Sequence, residues 1–126
     1  MSGFITIPSQ ALEYLLEHGI VYVLKTTKRR EGIVKLKTSK NGETIGIVYI
    51  LLEGLVERID GKYVVFHPSN SKEYTPLEKF VKHSGFSTLE EWLKAYAKGN
   101  GYVMAPPRLY KVQLVKIEKR KERKNS

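Results

Sequence analysis

A β-hairpin signal in the first half of the chain constrains the fold more than any other feature. Residues 33–38 alternate apolar with basic side chains from Val34 onward, the pattern of a strand with one buried face. The dipeptide Asn41-Gly42 follows, which is strongly favoured in two-residue hairpin turns. A mostly apolar run then extends from residue 43 to about residue 55. This predicts an antiparallel hairpin with a long return strand, in which glycines indicate a bulge or bend: Gly46 and Gly54.

The other elements are predicted from local patterns. Strands are expected at residues 4–7, 20–25, 63–66 and 109–117, and helices at about 9–18, 76–85 and 88–98. Asp60-Gly61 predicts a second hairpin turn, and residues 67–71 a loop. Ser87-Thr88-Leu89-Glu90 has the form of a capping box at a helix start. The predicted class is α+β: a small β-barrel, since closure leaves no unpaired strand edge, with a helix after the first strand and two helices before the last.

Length and composition favour one domain over residues 1–118, followed by a basic disordered tail at 119–126. The absence of cysteine excludes disulfides and cysteine-ligated zinc. No apolar stretch reaches the roughly 20 residues of a membrane span, and the N-terminus lacks the pattern of a signal peptide. We therefore expect a cytoplasmic protein without membrane partners. A composition rich in Lys, Glu, Tyr and Ile would suit a thermophile.

The formal net charge of +9 is concentrated in two segments. Residues 25–40 carry seven cations and one glutamate, a net charge of +6. Residues 108–126 carry eight cations and two glutamates, again a net charge of +6. Two concentrated patches indicate a surface for a polyanion, whereas an evenly basic surface would only aid solubility.

The first of these segments begins with Lys25-Thr-Thr-Lys-Arg-Arg-Glu-Gly32. We interpret this stretch as a phosphate-binding surface, and a solvated hairpin face is the alternative. Tyrosines near the basic segments are candidates for base stacking: Tyr22, Tyr102 and Tyr110. For Tyr22, core packing is the favoured interpretation, because it lies in an apolar strand. The predicted nucleic-acid contacts are Lys25, Thr27, Lys28, Arg29, Arg30, Lys35, Lys37, Tyr102, Arg108 and Lys111.

The sequence resembles the ASCH family of the PUA-like superfamily of small β-barrels. The resemblance rests on the opening strand at residues 4–7 with a helix ending in LLEHG, on NGETIGIVYILLEGL, and on HSGFSTLEEWLKAY followed by LYKVQLVKI. It covers most of residues 4–118. It implies a PUA-like barrel, RNA binding for the superfamily, and amidohydrolase or ribonuclease activity for some members.

The family signature Gly-x-Lys-x-x-Glu-x-Arg is not reproduced. Aligned on Gly19, the chain has Val21, Leu24 and Thr26 at the three polar positions. This departure puts catalysis in doubt and favours an RNA-binding domain without cofactor.

Other functions stay open. In the enzyme alternative, Lys25 would activate Thr27 and Glu53 would move protons, on a modified nucleoside or RNA. A DNA-binding or ribosome-associated role is a third possibility, because phosphate contacts do not distinguish polymers. The three histidines have no metal-ligand spacing, so no metal site is predicted. The sequence does not indicate an oligomeric state.

Overall fold

The computed structural model describes residues 3–26, 28–39, 41–100 and 107–118. They form an α+β fold, which confirms the predicted class. The helices are α1 (Ser9–His18), a 3₁₀ helix (Leu77–His83) and α2 (Leu89–Asn100). The strands are β1 (Phe4–Thr6), β2 (Ile20–Lys25), β3 (Gly32–Lys37), β4 (Thr44–Ile59), β5 (Lys62–His67), β6 (Asn70–Pro76) and β7 (Arg108–Ile117). No helix within the described ranges is both long enough and apolar enough to cross a membrane.

One mixed sheet contains all seven of these strands. The long strand β4 pairs with β3, with β5 and with β7, and β7 also pairs with β2. β1 joins the far side of β3 in parallel, and β6 joins β5. Among the described residues β1, β2 and β6 each pair with a single neighbour, so the sheet is not closed. The expected closed barrel is therefore not shown.

The sheet buries a core on each of its two faces. Alternate residues of a strand point to opposite faces, and consecutive residues of β2 and β7 enter different cores. The first core packs under α1 on what we term the inner face: Ile5, Ile7, Ala11, Leu15, Val21, Val23, Val34, Leu36, Ile45, Val48, Ile50, Tyr110 and Val112. The second core packs against the 3₁₀ helix and α2 on the outer face: Leu24, Val56, Val65, Leu77, Val81, Phe86, Trp92 and Leu109.

A β-bulge lets β4 contribute to both cores. Tyr110 and Leu109 are consecutive in β7, but their partners Leu52 and Gly54 are not consecutive, so Glu53 is the extra residue. The inserted residue reverses the alternation of the strand. Val48 and Ile50 consequently line the first core before Glu53, with Leu52 packed against it, and Val56 lines the second core after it. The bulge predicted near Gly54 is thus confirmed.

Gly46 explains the other predicted irregularity. A Cβ at this position would lie 2.3 Å from the backbone oxygen of Lys116, so only glycine allows β7 to approach β4 here. The register of β7 shifts at the same place, between the partners of Ile47 and Val48. The glycine is required by the close approach of two backbones, since its φ is not positive.

Four predicted features require correction. The turn expected at Asn41-Gly42 is wider than two residues, because the backbone N–H of Thr38 donates to the carbonyl oxygen of Glu43 at 3.4 Å, and Gly42, whose φ is not positive, donates to the carbonyl oxygen of Ser39 at 3.0 Å. The loop expected at residues 67–71 is a two-residue turn, Pro68-Ser69, that leads into β6, a strand of largely exposed polar residues without the alternation of a buried strand. The helix expected at 76–85 is a 3₁₀ helix. The capping hydroxyl belongs to Thr88, which accepts a hydrogen bond from the backbone of Glu91 at 3.1 Å, one residue later than predicted.

Candidate nucleic-acid interface

Residues 26–31, the basic loop, connect β2 to β3 across one end of the first core. The main anchor is Tyr110 of β7, whose side chain belongs to that core and is only 1% exposed. Its hydroxyl accepts a hydrogen bond from the backbone N–H of Arg29 at 2.6 Å and lies 3.4 Å from the carbonyl oxygen of the same residue. A buried side chain therefore fixes the middle of the loop.

Both ends of the basic loop are also held by the sheet. The Nη1 of Arg108 donates to the carbonyl oxygen of Thr26 at 2.9 Å, and the Thr26 hydroxyl lies 3.3 Å from the Tyr96 hydroxyl of α2. At the other end, the Glu31 carboxylate accepts a hydrogen bond from the backbone N–H of Leu52 at 2.7 Å. The one acidic side chain of the loop is thus engaged by the backbone of β4.

Lys25, the last residue of β2, connects two edges of the sheet. Val21 and Val23 place it on the inner face by alternation. Its Nζ donates to the carbonyl oxygen of Thr6 at 2.6 Å, at the end of β1. The sheet therefore curves until its β1 and β2 edges lie within the reach of one lysine side chain, although no backbone pairing joins them in the described residues.

Lys25 carries its charge in an unfavourable environment. Burial above all, and then the positive charge of Arg29, lower the pKa of Lys25 to about 8. The Nε of Arg29 is itself buried and has no hydrogen-bond partner in the described part of the chain. These two side chains concentrate positive charge at the end of the first core.

The remaining cations of the loop face solvent. Lys28 and Arg30 are exposed on either side of the anchored Arg29. Within the described residues none of these cations forms a salt bridge; nor does Lys25 or Arg108. The described part of the basic loop is consequently a group of cations, anchored through its backbone and without salt-bridged carboxylates, an arrangement suited to an anionic partner.

A second group of predicted contacts lies on the sheet. Lys35 and Lys37 of β3 and Lys111 of β7 occupy outer-face positions, opposite to the first core. Lys35 is exposed, whereas the ammonium of Lys37 lies 4.7 Å from the ring centroid of Phe4. The predicted contacts are therefore divided between the basic loop and the outer face of the sheet.

The aromatic candidates differ in their placement. Tyr110 is buried, so its proposed stacking on a base is wrong and its role is to hold the loop. Tyr22 packs edge-on against Phe80 at 4.9 Å between ring centroids, in agreement with the expected core packing. Thr27, Tyr102 and the basic tail at 119–126 lie outside the described residues.

Of the three groups of the enzyme alternative, Thr27 lies outside the described residues, and Lys25 and Glu53 form no hydrogen bond or salt bridge with each other. Lys25 donates to Thr6 and is influenced by the charge of Arg29. Glu53 instead influences Tyr22, whose pKa is raised first by burial and then by the Glu53 charge. A nearby cleft, partly open to solvent, has a cavity volume of only about 20 Å³ and the lining Pro8, Ala11, Val23, Leu24, Phe86, Trp92, Ala95 and Tyr96. It is apolar and smaller than ordinary ligand pockets, and neither Lys25 nor Glu53 lines it.

Comparison of the chain with family models, with curated proteins and with solved structures gives no match. The proposed function therefore rests on the geometry of the site.

One exposed aromatic residue on the outer face, Tyr49, was not among the predicted contacts. Its signal was present in the sequence, because the alternation that directs Val48 and Ile50 inward directs Tyr49 outward.

Proposed function

We propose that this domain binds nucleic acid, with RNA preferred over DNA, through phosphate contacts of the basic loop. The observation that carries the proposal is the group of cations at this loop, Lys25, Lys28, Arg29, Arg30 and Arg108, without salt bridges in the described residues. Their backbone is fixed by Tyr110 and by the Glu31 contact with β4. Because the backbone of the loop is anchored, phosphate binding by these cations costs less backbone conformational entropy.

The exposure of the loop cations supports a polyanion over a single small anion. Lys28 and Arg30 are exposed on either side of Arg29, so their charges lie on the surface and not within a closed cavity. Contacts of this kind release counterions from a nucleic-acid backbone, and the resulting affinity falls steeply with salt. They carry no base specificity by themselves.

The preference for RNA depends on the resemblance to the ASCH family and the PUA-like superfamily, which we retain as part of the proposal. The helix between the first two strands and the two helices before the last strand support it. The approach of the β1 and β2 edges at Lys25 supports an incompletely closed relative of the PUA-like barrel. The proposed location is the cytoplasm, on the absence of cysteine.

Fluorescence anisotropy with matched single-stranded and duplex RNA and DNA tests the proposal. The variant Lys28→Gln/Arg30→Gln removes two exposed charges without touching the anchors of the loop. If both residues contact phosphates, the slope of log affinity against log salt should fall by about 1.4 to 1.8. The affinity itself should decrease for every polymer that the wild type binds.

The matched control is Lys62→Gln/Lys72→Gln, which removes the same charge from exposed positions on β5 and β6. It should leave the salt slope close to that of the wild type. Equal losses in the two double variants would show that only net charge matters, and the basic loop would then not be the binding site. A stronger affinity for DNA than for RNA would refute the proposed preference.

A further inference from the structure

The outer face of the sheet carries an exposed tyrosine among aliphatic and basic side chains. Tyr49 of β4 is 37% exposed, and its register partners are Ile33 on β3 and Gln113 on β7. Ile33 is 40% exposed, and Gln113 is also exposed. The ring therefore lies in the middle of three adjacent strands and is open to solvent, away from the 3₁₀ helix and α2 that cover the second core.

Lysines occupy the rows on both sides of this tyrosine. Lys35 of β3 and Lys116 of β7 pair with Ile47, one row below Tyr49, and Lys111 pairs with Leu51, one row above. Diagonal neighbours across paired strands are about 7–8 Å apart, within the reach of long side chains. Three lysines can thus extend around one aromatic ring.

The charged side chains at the paired outward positions around Tyr49 are lysines, and two carboxylates lie beside this face: Glu31, which accepts a hydrogen bond from the backbone N–H of Leu52, and Glu53, whose charge acts on Tyr22. The outward residues of β3 are Ile33, Lys35 and Lys37, those of β4 before the bulge are Ile47, Tyr49 and Leu51, and those of β7 include Lys111 and Gln113. A face that combines an exposed ring with a majority of cations complements a chain with flat bases and charged phosphates.

We infer that the outer face around Tyr49 binds an unpaired base by stacking, while Lys35, Lys111 and Lys116 contact the adjacent phosphates of a single strand. The inference rests on the proposed nucleic-acid binding and specifies its substrate as single-stranded. Bases within a duplex have no free face for the tyrosine, whereas an unpaired base of any identity can stack on it. The face would therefore add affinity for single strands with little sequence preference.

The test compares Tyr49→Thr with Tyr49→Phe and with the control Tyr74→Thr. Threonine keeps a high strand propensity, so the first variant removes the ring with limited damage to β4. Phenylalanine keeps the ring, and Tyr74 is an exposed tyrosine of β6, at 47% exposure, on another part of the sheet. Affinities are measured for a single-stranded RNA and for a duplex RNA of the same sequence, and a 2-aminopurine in the single strand reports stacking by its fluorescence quenching.

We expect Tyr49→Thr to lower the affinity for the single strand by about 5- to 100-fold, with duplex affinity unchanged. The quenching of 2-aminopurine fluorescence that the wild type causes on binding should be lost. Tyr49→Phe and Tyr74→Thr should behave as the wild type. Equal losses for both RNAs, or no loss for either, would overturn the inference. If Lys28→Gln/Arg30→Gln weakens binding and Tyr49→Thr does not, only the stacking face is refuted. If the wild type binds no nucleic acid, both proposals fail, and a protein partner becomes the alternative for this face.

Discussion

Replacing Lys25 by methionine should change how the stability of the protein depends on pH. The folded state lowers the pKa of this lysine from 10.5 to about 8. Between these two values the unfolded chain binds more protons than the folded chain, so the free energy of unfolding rises with pH in that window. Below about pH 8 both states are protonated, and the full cost of the buried charge is present.

The size of the effect follows from the shift. At about 1.4 kcal/mol per pH unit, the difference between 10.5 and about 8 corresponds to a cost of about 3 kcal/mol at neutral pH. Raising the pH from about 7 to about 9.5 removes about 2 kcal/mol of this cost, because the folded state is then largely deprotonated at Lys25 while the unfolded state is not. Lys25→Met has no such group, so its stability should lack this contribution.

Urea unfolding of both proteins at the two pH values measures the difference. Trp92 is the sole tryptophan and is 3% exposed, so its fluorescence reports loss of the second core, while circular dichroism reports the sheet. Other groups that titrate in this range are common to both proteins and cancel in the comparison. Lys28→Met, which removes an exposed lysine, should keep the pH dependence of the wild type.

The expected result is a wild type that gains about 2 kcal/mol relative to Lys25→Met as the pH rises. Parallel pH profiles for the two proteins would show that Lys25 is not buried beside Arg29 as described. A wild type that loses stability relative to the variant would show that the charged form is favoured by folding, and the account of the site would be wrong.

Three further substitutions test contacts that hold the fold and the basic loop. Tyr110→Phe should cost about 1–3 kcal/mol in urea unfolding, because the backbone N–H of Arg29 loses its partner, and it should also weaken RNA binding measured by anisotropy although no charge is removed. Gly46→Ala should lower the free energy of unfolding by about 1–3 kcal/mol, because its Cβ would overlap the backbone oxygen of Lys116. The loss should be visible as a lower thermal midpoint. Thr88→Ala should cost about 1 kcal/mol in urea unfolding through loss of the helix cap, with unchanged affinity for RNA.

Turn chemistry and alternation made most of the fold predictable. Asp60 and Gly61 both adopt positive φ, 51° and 79°, as the predicted two-residue hairpin turn requires. Gly19 ends α1 in the left-handed conformation, at a φ of 85°. These elements depend on local conformational preferences, so a short stretch of sequence was sufficient to predict them.

Features that depend on distant contacts were not predictable in the same way. β6 was missed because its residues are mostly exposed and polar, so no buried alternation distinguishes it from a loop. The open sheet depends on how far its edges approach in space, which no local pattern specifies. The other six strands were predicted, but not the gap that Lys25 bridges.

The candidate site was predicted in composition and only partly in arrangement. Charge clustering in the sequence predicted that the basic loop presents cations to solvent, and Lys28 and Arg30 are exposed. It did not indicate that Tyr110, 81 residues away from Arg29, holds the loop, because a hydroxyl in an apolar strand has no sequence pattern that names its partner. Nor did it separate the inward Lys25 from the exposed Lys28, although the alternation Val21, Val23, Lys25 contained that information.

The position of β7 has a consequence for how the chain acquires its structure. This strand is synthesised after the other six, yet it lies between β4 and β2 in the sheet. Until it emerges, β2 has no backbone partner among the described strands, and the Tyr110 anchor of the basic loop is missing. All register pairs of β7 with β4 and β2 span more than 50 residues of sequence, and the shortest joins Leu55 and Arg108. Folding should therefore be slow for a domain of this length, and should complete the sheet and anchor the basic loop in the same step.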